Sequence, residues 1–134
     1  MERFSISMEE DLLGKFDNHL SGHGYSNRSE AVRDLVRKAL IDEEWQSGEE
    51  VVGVITLVFD HHQRKLQDKL TELQHDHYEI IISSTHVHLD HHNCLEVIIV
   101  KGEAGSVCEL ANRLKATRGV KTSELTSAST GKKL

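Results

Sequence analysis

Apolar positions recur along this chain with two different periods, and the changes between them mark out the elements. Residues 1–8 alternate, Phe4, Ile6 and Met8 against Arg3, Ser5 and Ser7, which predicts a short strand. The spacing then lengthens. Leu12, Leu13, Phe16 and Leu20 share one face of a helix predicted over 8–20, opened by a Ser7–Glu10 capping box and stopped by Gly22 and Gly24. A second box, Asn27 to Glu30, opens a helix over 28–44 that brings Ala31, Val32, Leu35, Val36, Ala39 and Leu40 into register. Residues 46–50, with Ser47 and Gly48, break the pattern as a polar linker. Beyond it come a β-branched strand over 51–59, a helix over 61–74 striped with Leu66, Leu70 and Leu73, and an apolar strand over 79–89. A polar turn over 90–93 leads to a return strand over 94–100. A helix over 103–118 with Val107, Leu110, Ala111 and Leu114 inward, Gly119, and a strand over 120–126 complete the order. Residues 127–134 have nothing to bury and are expected to be disordered.

The fold class that follows is α+β in two parts. Residues 1–45 form a βαα unit whose single strand has two unpaired edges, so it must pair with its own copy across a dimer. Two such strands make an antiparallel ribbon narrow enough for a major groove, with Arg3, Ser5 and Ser7 on the side the helices leave open. Residues 51–126 read βαββαβ, the ferredoxin-like (ACT-like) split motif, which places both helices on one sheet face and leaves the other for another copy.

Composition narrows the setting. Two domains in 134 residues are each small enough to need oligomerisation, and the core is aliphatic, since aromatic residues make up 4% and proline is absent. No apolar run approaches the ~20 residues of a membrane span, and the alternating, charged N-terminus is unlike a signal peptide, so a cytoplasmic protein is expected. Two cysteines suit reduced thiols better than a disulfide framework. Net charge is −6, and residues 1–40 hold six Lys/Arg against seven Asp/Glu, so DNA binding there must come from a focused face and not from bulk charge.

Candidate chemistry concentrates between Gln74 and Ile98, which hold six of the ten histidines. His86 and His88 fall on one face of their strand, and the turn returns Cys94 beside them, at the ~5 Å Cβ spacing of cross-strand neighbours. Two imidazoles and a thiolate can share one metal ion, with zinc, copper and nickel all open on ligand chemistry. His75 precedes that strand by ~25 Å if the path is extended, so its expected role is that of a fourth ligand from a neighbouring subunit. Glu96, on the face of Cys94, is placed to accept a hydrogen bond from a ligand histidine. His61, His62, His77, His91 and His92 read as solvated. His61 supporting the first ion, and His91 with His92 holding a weaker second one, are the runner-up reading. Cys108 reads as a packed helix residue, and His19 and His23 receive no role.

GYSNRSEAVRDLVRKAL, residues 24–40, together with the spacing of His75, His86, His88 and Cys94, resembles the NikR family of nickel-responsive repressors, whose N-terminal part is a ribbon-helix-helix domain. The resemblance runs from Arg3 to about Leu125. It implies that Arg3, Ser5 and Ser7 read bases and that Asn27, Arg28 and Ser29 at a helix N-terminus hold phosphate, where free N–H groups favour an anion. It also implies one Ni²⁺ per chain, square planar, on His86, His88 and Cys94 of one subunit and His75 of another. Family likeness further suggests a secondary cation near Glu30 and Asp34, a homotetramer built as a dimer of dimers, a palindromic operator, and repression of nickel-uptake genes. Alternatives are a zinc- or copper-responsive regulator, a metal store or chaperone without DNA binding, and an amino-acid sensor of similar fold. An enzyme is not expected, because four protein ligands leave no open coordination position.

Overall fold

Asn27 does what its spacing to Glu30 promises. Its side-chain oxygen accepts the Glu30 backbone N–H at 2.9 Å and opens the second helix. In the computed structural model, which describes residues 1–134, α1 spans Glu10–Gly22 and α2 spans Arg28–Gln46. Gly24, at φ 74°, makes the turn between them in a conformation that L side chains rarely adopt. Ser7 does not cap α1. Glu9 stands at that position with no side-chain capping bond, which corrects the first capping box. Nor do residues 1–9 carry secondary structure, because a strand needs a neighbouring edge to bond and a lone chain offers none here.

The chain divides into Met1–Ala39 and Leu40–Leu134. In the first unit the buried apolar residues are Leu20 and Ala31, while Phe4 is 75% exposed and Leu35 and Val36 are each 52% exposed. The apolar stripe of this unit therefore faces outward.

The second unit is a four-stranded antiparallel sheet in the order β2-β3-β1-β4. Its elements are β1 (Glu50–Asp60), α3 (Arg64–Asp76), a 3-10 turn (Tyr78–Ile80), β2 (Ile81–His88), β3 (Asn93–Glu103), α4 (Ala104–Ala116) and β4 (Val120–Ser127). This is the expected ferredoxin-like arrangement. Val51, Ile55, Leu57 and Phe59 of β1 and Cys94, Ile98 and Val100 of β3 are buried and form one core with Leu66, Leu70 and Leu73 of α3 and Val107, Leu110, Ala111 and Leu114 of α4. The outer sheet face is only partly covered, and Ile99 on it is 37% exposed.

Three boundaries differ from the sequence expectation. α3 begins at Arg64 instead of 61, because the Asp60 carboxylate accepts the His62 N–H and the Asp60 carbonyl accepts the Gln63 N–H, closing a turn first. β2 begins at Ile81 instead of 79, since Ile80 drops into the core across from Gly102, where a Cβ would lie 2.7 Å from the Ile80 Cγ2. The linker over 46–50 shrinks to residues 47–49, as α2 runs to Gln46 and β1 starts at Glu50. Trp45 packs against the sheet core, so the end of α2 belongs to the C-terminal unit.

The tail over 127–134 is not free either. The Ala128 N–H bonds the Val52 carbonyl at 2.8 Å, the Trp45 indole N–H bonds the Ala128 carbonyl at 2.9 Å, and Lys133 pairs with Glu49 at 2.9 Å. Trp45→Phe removes the donor and the outer ring that rests beside Gly53. The expected outcome is a loss of about 1–3 kcal/mol in urea unfolding, from the hydrogen bond and the trimmed contact together, with earlier proteolysis after residue 128. An unchanged cleavage pattern would show that the tail is held without that bond.

Candidate metal centre and nucleic-acid interface

Strand register decides which side chains meet at the end of the hairpin. His88 stands opposite Cys94 and His86 opposite Glu96 on β2 and β3. Both β3 residues are buried on the helix-covered face, so the two histidines lie on that same face at the sheet edge. Cys94 Sγ is 3.8 Å from His86 Nδ1. The other ring nitrogen, Nε2, is 3.2 Å from Glu96 Oε1. The ring thus lies between the buried carboxylate and the sulfur, and a modest rotation that lined Nε2–H up with Glu96 would leave Nδ1 for an ion, the arrangement in which a carboxylate orients a ligand imidazole. Cis ligands bound at ~2.0–2.3 Å would stand about 3.1–3.6 Å apart, so a shift of a few tenths of an ångström lets the pair close on one ion. The donor set fits nickel and the other borderline metals alike.

Glu96 is 2% exposed, and its contacts all fall on one oxygen. Oε1 accepts from Ser84 Oγ at 2.7 Å and from Gln74 Nε2 at 2.8 Å as well as facing His86. Burial raises the Cys94 thiol pKa, and the Glu96 charge adds to it, while a backbone bond from Val87 pulls the other way. A ligand metal must therefore displace the sulfur's proton.

His88 is the expected ligand that the structure does not gather in. Its ring meets that of His61 edge-on at 4.9 Å, and His61 Nε2 lies 2.9 Å from the His91 carbonyl. His75 requires a correction of reasoning. It sits on the last turn of α3, and α3 folds back over the sheet: its neighbour Gln74 touches Glu96, which faces His86. The extended ~25 Å path therefore does not exist. The His75 side chain itself is exposed, and its ring centroid lies 6.4 Å from that of Tyr78. Gln74 and Ser84 were not foreseen. Ser84 shares the face of His86 and His88 at alternate positions and was legible, whereas nothing in the sequence marks Gln74.

The opposite unit gives a mixed picture of DNA contacts. Arg3, Ser5 and Ser7 are exposed. Asn27 spends its side-chain oxygen on the cap of α2, and Arg28 makes a two-pronged bond with Asp17, Nε and Nη2 each at 2.9 Å. That bond holds the Asp17 carboxyl below its usual range and joins α1 to α2, so Arg28 is not a free phosphate ligand here. Ser29 stays exposed in the first turn of α2. Around Glu30 and Asp34, Ser26 donates to Glu30 at 3.1 Å, and Tyr25 and Arg37 donate to Asp34 at 2.8 and 3.5 Å.

Comparison with known proteins supplies what geometry leaves open. Residues 2–43 match the family described as ribbon-helix-helix protein, copG family, and residues 52–128 match the NikR C terminal nickel binding domain. The chain belongs to the nickel-responsive regulator family. A relative in Desulfotalea psychrophila is 56% identical over 134 residues, covering 100% of this chain and 98% of the relative. One in Geobacter sulfurreducens is 52% identical over 133 residues, covering 98% and 96%. Both carry the provisional name nickel-responsive regulator. A solved structure of an uncharacterized protein from Thermotoga maritima superimposes with a TM-score of 0.54 at 18% identity, over 59% of this chain and 98% of its own, and shows the fold alone. Members of the nickel-responsive regulator family are regulators and not enzymes, as the ligand count led us to expect. No helix of this one is long and apolar enough to cross a membrane.

Proposed function

We propose that this protein is a nickel-dependent, sequence-specific transcriptional repressor of nickel-uptake genes, acting in the cytoplasm as a homotetramer on a palindromic operator. The observation that carries the metal half is the Cys94–His86 pair backed by buried Glu96. His86, His88 and Cys94 of one chain and the exposed His75 of another would hold one Ni²⁺ per chain, and the bound ion supplies a link between subunits. Zinc or copper remains the alternative ligand on chemistry alone, and family membership favours nickel.

The DNA half rests on the outward apolar stripe of the first unit. Phe4, Leu35 and Val36 are half exposed or more in a single chain, and pairing two chains through residues 1–9 would cover them and form the ribbon. Arg3, Ser5 and Ser7 then face base edges, and the first turn of α2 at Ser29 faces phosphate.

Within the metal-binding unit, a shared group joins the site to α3. One Glu96 oxygen holds both His86 and the last turn of α3, so any reorientation of His86 is felt at residues 74–77. Ordering the stretch from His61 to His77 would favour tetramer arrangements whose two ribbons reach two half-sites.

Capture of genomic DNA fragments by the full-length protein, in parallel with nickel, with zinc and with chelator, tests the whole reading. One palindromic site enriched with nickel only is the expected result, equal capture with zinc would unseat nickel as the effector, and no enrichment would leave a metal store. Arg3→Ala should flatten operator preference, costing about 1–3 kcal/mol of discrimination in competition binding while nickel affinity stays as it was. An unchanged preference would remove residues 1–9 from base reading.

A further inference from the structure

The histidines that sequence reading set aside as solvated converge on a second place. Asp60, at the end of β1, and His62 and His92 bring one ligand atom each within 4.8 Å of one another. We propose that these three form a second divalent-cation site, separate from the one at Cys94, that takes a borderline first-row ion such as Ni²⁺, Zn²⁺ or Co²⁺.

Main-chain bonds fix the arrangement and leave most of the ligand atoms available. Asp60 pairs with Asn93 at the end of the β1–β3 ladder, so the two segments that supply the ligands are strand neighbours. Asp60 Oδ1 accepts the His62 backbone N–H at 2.9 Å and lies 3.3 Å from His62 Nδ1. On the other side the His92 N–H bonds Asp90 Oδ1 at 2.8 Å, and the His92 carbonyl accepts the His61 N–H at 3.1 Å. The Asp90 carboxylate that anchors this turn is held well below its usual range, chiefly by the Asn93 side chain and then by the Asn93 and His92 backbone. Lys121 donates to Asn93 Oδ1 at the same turn.

Donor chemistry sets the ligand class. Two imidazoles and one carboxylate suit nickel, zinc or cobalt, whereas calcium and magnesium prefer an all-oxygen shell. Three protein ligands leave positions for water, and the half-exposed His62 gives an entry path. No sulfur takes part, so an ion here lacks the thiolate absorption expected of one at Cys94.

Placement makes the site more than a surface trap. His61 stands between the two centres, its ring 4.2 Å from that of His62 and 4.9 Å from that of His88. An ion on Asp60, His62 and His92 ties the end of β1 to the turn whose two ends carry His88 and Cys94. It would therefore stiffen the mouth of the first site, although its own ligands include none of that site's residues.

Nickel alone, titrated into full-length protein by equilibrium dialysis with absorption recorded at each step, provides the test, with the wild type set against His62→Ala/His92→Ala. The wild type should show a tight phase with thiolate absorption and a weaker phase without it. The double variant should keep the first and weaken the second by about tenfold or more, as loss of two ligands must exceed the loss of one outer partner. A weak phase of unchanged size and affinity would overturn the proposal, and so would loss of both phases together, which would make them one site. In the wild type the imidazole resonances of His62 and His92 should move together during the weak phase. Movement confined to His19 and His23, which stack at 4.0 Å elsewhere, would also overturn it.

Discussion

On the proposed reading, in which Cys94 binds the ion directly, Cys94→Ser is expected to lower nickel affinity by more than about a hundredfold, beyond the 10- to 100-fold typical of losing a group that only supports a ligand. The thiolate absorption should vanish with it. Cys94 is 1% exposed and sits in the β1–β3 core, but serine is close to it in size, so the sheet should survive with a cost of about 1–3 kcal/mol for a buried hydroxyl. Affinity for operator DNA in the presence of nickel should fall in step with metal affinity. Gel-shift titrations at fixed free nickel, run beside direct metal titration, separate the two. Nickel affinity left intact would move the primary site away from Cys94. Operator binding that survives in chelator would break the proposed link between metal and DNA.

Phe59→Ala should cost more stability than any exposed change. Phe59 is the largest side chain fully buried in the core, and truncating a buried Phe leaves a cavity worth about 3–5 kcal/mol. Against the ~5–15 kcal/mol of a typical domain this is a large share. The position also matters for the site, since Phe59 stands opposite Cys94 in the β1–β3 ladder and its ring lies edge-on to His86 at 6.2 Å. Nickel affinity should therefore drop along with the urea midpoint, and Phe59→Leu should restore most of both. A loss below about 1 kcal/mol would mean that the neighbouring strands close the gap, as collapsible sites do.

Periodicity was enough for the elements that bury one face against their own chain. β1 alternates without a break from Val51 to Phe59, and the leucines of α3 and α4 point where their spacing puts them. Ends were harder, because they are set by competition among polar groups. Asp60 intercepts the His62 N–H and postpones α3, an event that a helical stripe cannot register. Trp45 carried a readable signal that the polar look of residues 46–50 masked: a half-buried indole needs an acceptor, and the tail supplies one. For the metal centre, alternation placed His86, His88 and Cys94 on one face but could not say that His88 would turn to His61. His92 was a candidate for a second ion beside His91, but its grouping with Asp60 and His62 stayed hidden for a different reason. Thirty residues separate the two histidines along the chain, and the strand order and register that join them are properties of the folded sheet.

Residues 1–9 of an isolated chain have no strand to join, and Phe4 and Ile6 stand exposed beside Arg3. If the base-reading ribbon exists only as a shared object, its inheritance is shared too. A cell making equal amounts of normal chain and a chain with a ruined metal centre but sound N-terminal residues would fold about half its ribbons from mixed pairs and only about a quarter from two normal chains. The defective copy would then behave as dominant, whereas a chain lacking residues 1–9 altogether would act as recessive wherever it fails to pair.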